Sequence, residues 1–281
     1  MELVGITLYP VKSCRGIAIE RARVEKRGLS RDRRWMVVDE AGRFITQREE
    51  PRLALVDVSL ATETITLSAP EAGAVSIPVT TEDGARVPTT TWGRAATGVV
   101  HAAASGWMSA HLARPVRVVH LPDSSPSPSA SRFARAGDEV SFADGYPLLV
   151  ACEESLDDLG ARIEARGGAR VPMIRFRPNV VVRGAPAWDE DGWAAIAIGG
   201  VRMRAPKACD RCVMTTIDPA TARAGAEPLR TLATFRRRDG GVWFGVNLVP
   251  DETGEIALGD AVAVTERAPP PAFDARANTP A

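Results

Sequence analysis

The chain runs to 281 residues, 45% hydrophobic and 25% charged, with 35 lysines and arginines against 35 aspartates and glutamates. That length fits one large domain or two packed ones, and the zero net charge argues against a nucleic-acid binder, which carries a basic excess to meet phosphates. No apolar run approaches the roughly 20 residues of a membrane span, the start Met1-Glu2-Leu3-Val4-Gly5-Ile6 lacks a secretory signal, and only four cysteines point to reduced thiols in a cytosol.

The first hundred residues read as strands. Leu3–Tyr9, Ile17–Val24, Trp35–Val38, Leu53–Ser59, Thr64–Ser68 and Val75–Val79 are short and alternating or β-branched, with turn-forming clusters between them. Regular short strands of this kind predict a barrel or sandwich. Ala102–Leu112 is a helix candidate, and Val116–His120 returns to strand. Pro122–Ala130 alternates Ser and Pro and reads as an exposed, mobile loop near a domain boundary. Tyr146–Ala151 is a buried strand, followed by an amphipathic helix over Glu153–Arg166, where Leu156, Leu159 and Ile163 share one face. Phe176–Val182, Val201–Ala205, Val242–Val249 and Ala261–Thr265 complete the strands. Residues Ala268–Ala281, rich in Pro and Ala, read as a disordered tail. The fold class expected is β-rich α+β with a few peripheral helices.

Four segments carry chemistry. In Leu8-Tyr9-Pro10-Val11-Lys12-Ser13-Cys14-Arg15-Gly16 a strand ends at a proline and then offers an ammonium, a hydroxyl and backbone N–H groups before a glycine. That set suits an anion, although a plain turn with a solvated lysine has the same composition. Arg31-Asp32-Arg33-Arg34-Trp35 and Arg175-Phe176-Arg177-Pro178-Asn179 place arginines beside apolar strands, which a solvated face would also do. The fourth is Lys207-Ala208-Cys209-Asp210-Arg211-Cys212, running on to Pro219. A zinc site would need two further ligands; Cys14 and Cys152 stand alone, and His101, His111 and His120 have no ligand rhythm. A thioredoxin-like pair belongs between a strand and a helix, and the β-branched run before Asp218-Pro219 does not read as one. Two readings stay open: a thiolate ligand to a soft metal, favoured by Lys207 and Arg211, or two core-filling thiols.

Taken together and in this order, Tyr9-Pro10-Val11-Lys12-Ser13-Cys14 with Arg15-Gly16, Arg31-Asp32-Arg33, Phe176-Arg177-Pro178-Asn179 and Cys209–Pro219 resemble the MOSC family (molybdenum cofactor sulfurase C-terminal domain), of the type with an N-terminal MOSC β-barrel domain. The resemblance covers about Leu3 to Arg267 and extends to the amidoxime-reducing components of mitochondria and their bacterial relatives. It implies a MOSC-type β-barrel domain at 119–267, an N-terminal β-barrel-like domain at 1–118 and a tail at 268–281. It also implies a molybdenum cofactor (Mo-molybdopterin) ligated by Cys212, the second cysteine of the pair. The matching positions for gripping the pterin and its phosphate are Lys12, Ser13, Arg33, Arg177, Asp210 and Arg211. Asp144, Gly145 and Tyr146 match a further cofactor-contacting loop, where Gly145 and Tyr146 replace the small hydroxyl residues expected; Asn179 matches a position near the cofactor.

The activity implied is reduction of N-hydroxylated compounds, such as hydroxylamines and amidoximes, by oxygen-atom transfer to molybdenum. The same grip residues would equally serve a non-catalytic cofactor carrier or a sulfur-transfer module. Asp144 is the one positional candidate for a general acid. No cysteine follows Cys212, so an appended iron–sulfur domain is not expected. Electrons would then come from a separate protein: a ferredoxin, a flavodoxin-type reductase or a cytochrome b5-like donor. The Tyr-Pro-Val-Lys-Ser run begins nine residues in, so the membrane anchor of the mitochondrial relatives is not expected either, and the location implied is cytoplasmic.

Overall fold

Residues 1–269 are described by the computed structural model. Their largest unit is a nine-stranded sheet. Its strands follow the order Val262–Arg267, Trp193–Ile198, Val201–Asp210, Gly241–Pro250, Leu148–Cys152, Val180–Arg183, Glu2–Leu8 and Ile17–Ile19, with the short Arg237–Arg238 strand also paired to Gly241–Pro250. Pairing is antiparallel except where Leu148–Cys152 runs parallel to Val180–Arg183, in the register Val150↔Val180. A parallel pair needs a crossover, and the helix Glu153–Glu164 supplies it.

The burial pattern explains these elements. Leu3, Ile6 and Leu8 of the first strand face Val150, Val180, Val182, Met203, Val246 and Leu248 in one apolar core. Removing each such side chain from water contributes about 1.5–3 kcal/mol. The helix Glu153–Glu164 turns Leu159 and Ile163 onto Phe176, Leu232 and Phe244, as the i, i+4 spacing requires. Glu153 and Glu154 occupy its first turn, where the helix dipole favours negative charge.

Three smaller sheets complete the fold. Trp35–Val38, Arg117–His120, Arg94–Val100 and Arg86–Thr91 form one; Asp57–Leu60, Thr64–Ala69 and Gly73–Pro78 form another. The helix Ala102–Leu112 lays Ala104, Met108 and Leu112 against Trp35, Val37, Leu53, Ile65 and Leu67 between them. The third sheet joins Arg21–Glu25 and Gly28–Leu29 to Gly254–Ala257, which comes from the far end of the chain.

Several sequence expectations change. The Leu53–Ser59 run begins as a 3-10 turn over Pro51–Leu55, and strand starts only at Asp57; Pro51 suits a first helical position, and apolar content cannot separate the two states. Ile17–Val24 is interrupted at Glu20, and the strand of Phe176–Val182 starts at Val180 after a 3-10 turn. Strands Arg86–Thr91, Arg94–Val100, Trp193–Ile198 and Gly254–Ala257 were not anticipated. The Ser/Pro segment is anchored rather than loose: Ser127 is 2% exposed, its hydroxyl donates to Val140 O, and Arg27 donates to Pro122 O and Ser125 O. Of the proposed tail, 270–281 lie outside the described residues.

Candidate functional site

The site begins where the first strand ends. After Pro10, the Lys12 N–H donates to Trp35 O at 2.8 Å, and Ser13 takes a left-handed conformation (φ 70°). Gln47 Nε2 holds the Ser13 carbonyl at 2.6 Å. Gly16 closes the loop for steric reasons: a Cβ there would lie 2.5 Å from Tyr9 Cε1. Lys12 is buried, donates to Phe142 O at 2.7 Å and forms an ion pair with Asp144. Burial pulls its ammonium below the ordinary lysine range, against the attraction of Asp144. For Asp144, desolvation opposes ionisation, but the side chain keeps about half its surface open (49%). Lys12, followed by Arg48, therefore prevails and holds the carboxyl well below the usual carboxylate range. Asp144 thus stands as an ionised partner of Lys12.

Two arginines lie over one aromatic ring. The guanidinium carbons of Arg33 and Arg177 lie 4.6 and 4.3 Å from the centroid of the buried Tyr9 ring, an arrangement worth about 0.5–2 kcal/mol per cation. Asp32, fully buried, offsets their charge: one oxygen pairs with Arg33 and the other accepts the Tyr9 N–H at 2.8 Å. Arg177 Nη1 donates to Cys14 O at 2.8 Å. Asn179 ties the sheet to this cluster. Its Oδ1 accepts from Arg33 Nη1 at 2.9 Å and from the Leu149 N–H at 3.3 Å, while Nδ2 donates to Thr7 O at 3.2 Å. Asn179 thus makes three side-chain hydrogen bonds within the protein and keeps one N–H of its amide in reserve.

The Cys-x-x-Cys segment leaves the end of the Val201–Asp210 strand and enters a 3-10 turn over Val213–Thr216, with Cys212 as its N-cap. No α-helix follows, which disposes of the thioredoxin-like reading. The neighbouring cations do not serve Cys212. Arg211 Nη1 lies 2.9 Å from Cys209 Sγ and its Nη2 donates to Phe176 O at 2.6 Å, while Lys207 pairs with Asp210 at 3.0 Å. Burial pushes the Cys209 thiol up despite Arg211. The cation on Cys212 is Arg48, whose Nη2 lies 3.1 Å from Sγ across 164 residues of sequence.

All the residues named by the resemblance, from Lys12 to Cys212, line one cavity of about 1070 Å³. Gly145 leaves open space beside its Cα and accepts a hydrogen bond from Ser129 at 3.3 Å; Tyr146 is half-buried beside it. The lining carries ten lysines and arginines against four aspartates, so a neutral chain encloses a cationic pocket. Three of those arginines have buried N–H groups without a hydrogen-bond partner: Arg175 Nε, Arg177 Nη2 and Arg211 Nε. Among the described residues no three His, Cys, Asp or Glu side chains cluster to hold a metal. A metal at Cys212 would therefore have to bring most of its ligands with it.

Sequence reasoning missed Arg48, Arg94 and Trp92 in this lining. Arg94 is buried and reaches Ser127 Oγ, Val140 O, Ser141 O and Ala143 O, shaping the loop that carries Asp144. Trp92 sits at the turn between two unanticipated strands, 58% exposed, with Arg48 4.9 Å over its ring. The usable signal was Trp92-Gly93, a large aromatic at a turn.

The chain matches the MOSC N-terminal beta barrel domain over residues 1–115 and the MOSC domain over residues 137–263. It is 33% identical to mitochondrial amidoxime-reducing component 1 of Homo sapiens, over 91% of this chain and 80% of that protein. With mitochondrial amidoxime-reducing component 1 of Mus musculus it shares 34% identity, over 91% and 79%. With component 2 of Rattus norvegicus the identity is 31%, over 92% and 81%. No helix among the described residues is long and apolar enough to cross a membrane. Identity at this level across nearly the whole length, with both domain matches in sequence order, places the chain in the MOSC family, in the group with an N-terminal MOSC β-barrel domain.

Proposed function

We propose that this protein is a molybdenum cofactor-dependent reductase of N-hydroxylated compounds, hydroxylamines and amidoximes among them. The observation that carries the reading is the gathering of ten lysines and arginines, against four aspartates, around the cavity that also holds the Cys212 thiol. An anionic, phosphate-bearing pterin suits those cations, and a soft metal delivered with its own sulfur ligands suits a single thiolate. The relatives' names, amidoxime-reducing components, support the substrate class.

On this reading Lys12, Ser13, Arg33, Arg177, Asp210 and Arg211 hold the cofactor, the Asp144–Tyr146 loop and Asn179 shape its seat, and Cys212 ligates the metal. When bound, the cofactor supplies two-electron, oxygen-accepting chemistry. The net reaction converts a hydroxylamine, two electrons and two protons into an amine and water. The cationic lining neutralises the cofactor's charge, and the ionised Asp144 fixes Lys12 in place. The electrons come from a separate ferredoxin, flavodoxin-type reductase or cytochrome b5-like protein. Four free cysteines fit a reducing, cytoplasmic location.

Protein made in a host competent for the cofactor should carry one molybdenum and one pterin per chain, and should reduce an amidoxime with an artificial electron donor. The Cys212→Ala variant should lose the metal and the activity. Stoichiometric cofactor with hydroxylamines, amidoximes and N-oxides all left unreduced would point to a carrier. Metal and activity retained in Cys212→Ala would overturn the ligand assignment.

A further inference from the structure

Arg48 is absent from every motif that marked the site, yet among the described residues it is the donor that reaches the Cys212 sulfur, at 3.1 Å. We propose that Arg48 is a positioning residue for Cys212, orienting its sulfur and limiting how much charge that sulfur donates to a bound metal. The inference rests on Cys212 being the metal ligand.

Arg48 is held in place from both ends. Its own N–H donates to Thr46 Oγ1 at 3.2 Å, and the N–H groups of Glu49 and Glu50 donate to Thr46 O at 3.0 and 2.9 Å. Thr46 and Gln47 are buried, and Gln47 grips the Ser13 carbonyl, so one turn supports both the Lys12–Ser13 loop and Arg48. At the far end the guanidinium lies over the Trp92 ring and 3.6 Å from Asp144 Oδ2. Ring and carboxylate on separate elements leave little freedom to swing away from the sulfur.

The consequence follows from general ligand chemistry. An N–H···S bond draws electron density from a thiolate, weakens its donation to a metal and raises the reduction potential of that metal. Arginine stays charged at any working pH, and a single nitrogen of Arg48, Nη2, lies 3.1 Å from the sulfur and 3.6 Å from the carboxylate. Lysine could offer one nitrogen to both groups but lacks the planar guanidinium that lies over Trp92. The alternative cations are committed elsewhere, Arg211 to Cys209 and Phe176 O, Lys207 to Asp210.

The test compares full-length wild type, Arg48→Lys and Arg48→Met, each made in a cofactor-competent host. Pterin and molybdenum are assayed per chain, the Mo(V) electron paramagnetic resonance spectrum is recorded, and the molybdenum midpoint potential is titrated. In Arg48→Met we expect retained pterin, an altered Mo(V) spectrum, a more negative potential and a roughly 10–100-fold loss of turnover, with Arg48→Lys in between. Wild-type protein that takes up no molybdenum would bring down the cofactor reading and this inference with it. A loaded wild type and a loaded Met variant with the same spectrum and potential would overturn the inference alone. Should the Met variant fail to fold, a loaded Lys variant indistinguishable from wild type would do the same. If neither variant loads while both keep the wild-type melting midpoint, Arg48 grips the cofactor itself and the positioning role is wrong.

Discussion

At the scale of single residues, the run Arg31-Asp32-Arg33-Arg34 shows how little charge composition says about burial. Arg31 is exposed, with its guanidinium reaching Ala61 O and Thr62 O, while Asp32 and Arg34 are buried and Arg33 lines the cavity. Asp32 serves two partners, the Tyr9 N–H and the Arg33 guanidinium. Asp32→Ala should therefore destabilise the protein by about 3–5 kcal/mol, the cost of leaving a buried charge without its partner. A urea denaturation midpoint measures it, and a change below 1 kcal/mol would mean the pair behaves as an exposed one. Motifs made Lys12, Arg33, Arg177 and Cys212 legible because their chemistry is local. They misdirected Lys207 and Arg211, whose adjacency to Cys212 in sequence suggested thiolate support that the strand end directs to Asp210 and Cys209 instead. Arg48 could not be read at all, since its bond to Cys212 spans 164 residues.

Individual elements carry their own electrostatic consequences, and the 3-10 turn Asp189–Gly192 is the sharpest case. It buries Glu190 completely, with one oxygen accepting from Ser155 Oγ at 2.8 Å and the other without a partner. Burial is the main cause that pushes this carboxyl up, to about 7 from 4.5. Between those values the folded state binds the proton more tightly than the unfolded chain, so stability is greatest at the acid end and falls as pH rises. Glu190→Gln removes the titration but keeps an acceptor for Ser155. The variant should melt higher than wild type at pH 8, by an equivalent of about 3 kcal/mol, with the gap closing towards pH 5. Parallel melting curves across that range would show that the carboxyl titrates normally. The Leu156–Leu159–Ile163 face was readable from its periodicity, and Ala102–Leu112 was readable as a helix without a clear apolar stripe. Trp193–Ile198 was not, being uniformly apolar, nor was Arg86–Thr91, whose Pro88 breaks a strand pattern that only edge positions tolerate.

Across the whole molecule, strand pairing joins the two matched regions, residues 1–115 and 137–263. Glu2–Leu8 completes the large sheet beside Val180–Arg183, and Gly254–Ala257 pairs with Arg21–Glu25. The site repeats the pattern, with Lys12, Ser13, Arg33 and Arg48 facing Asp144, Arg177, Arg211 and Cys212 across one cavity. The first strand's Leu3 and Ile6 are 0% and 2% exposed in a core whose other members come almost entirely from beyond residue 147. Melting the N-terminal region alone would strip that edge from the large sheet, expose its unpaired backbone groups and open the core. Neither part gains enough on its own to make a half-folded state populated. Scanning calorimetry of the full chain should thus give a single transition with equal van't Hoff and calorimetric enthalpies. Two resolved transitions, or a van't Hoff value well below the calorimetric one, would show that the two domain matches fold as separate units and that the shared strands dock late.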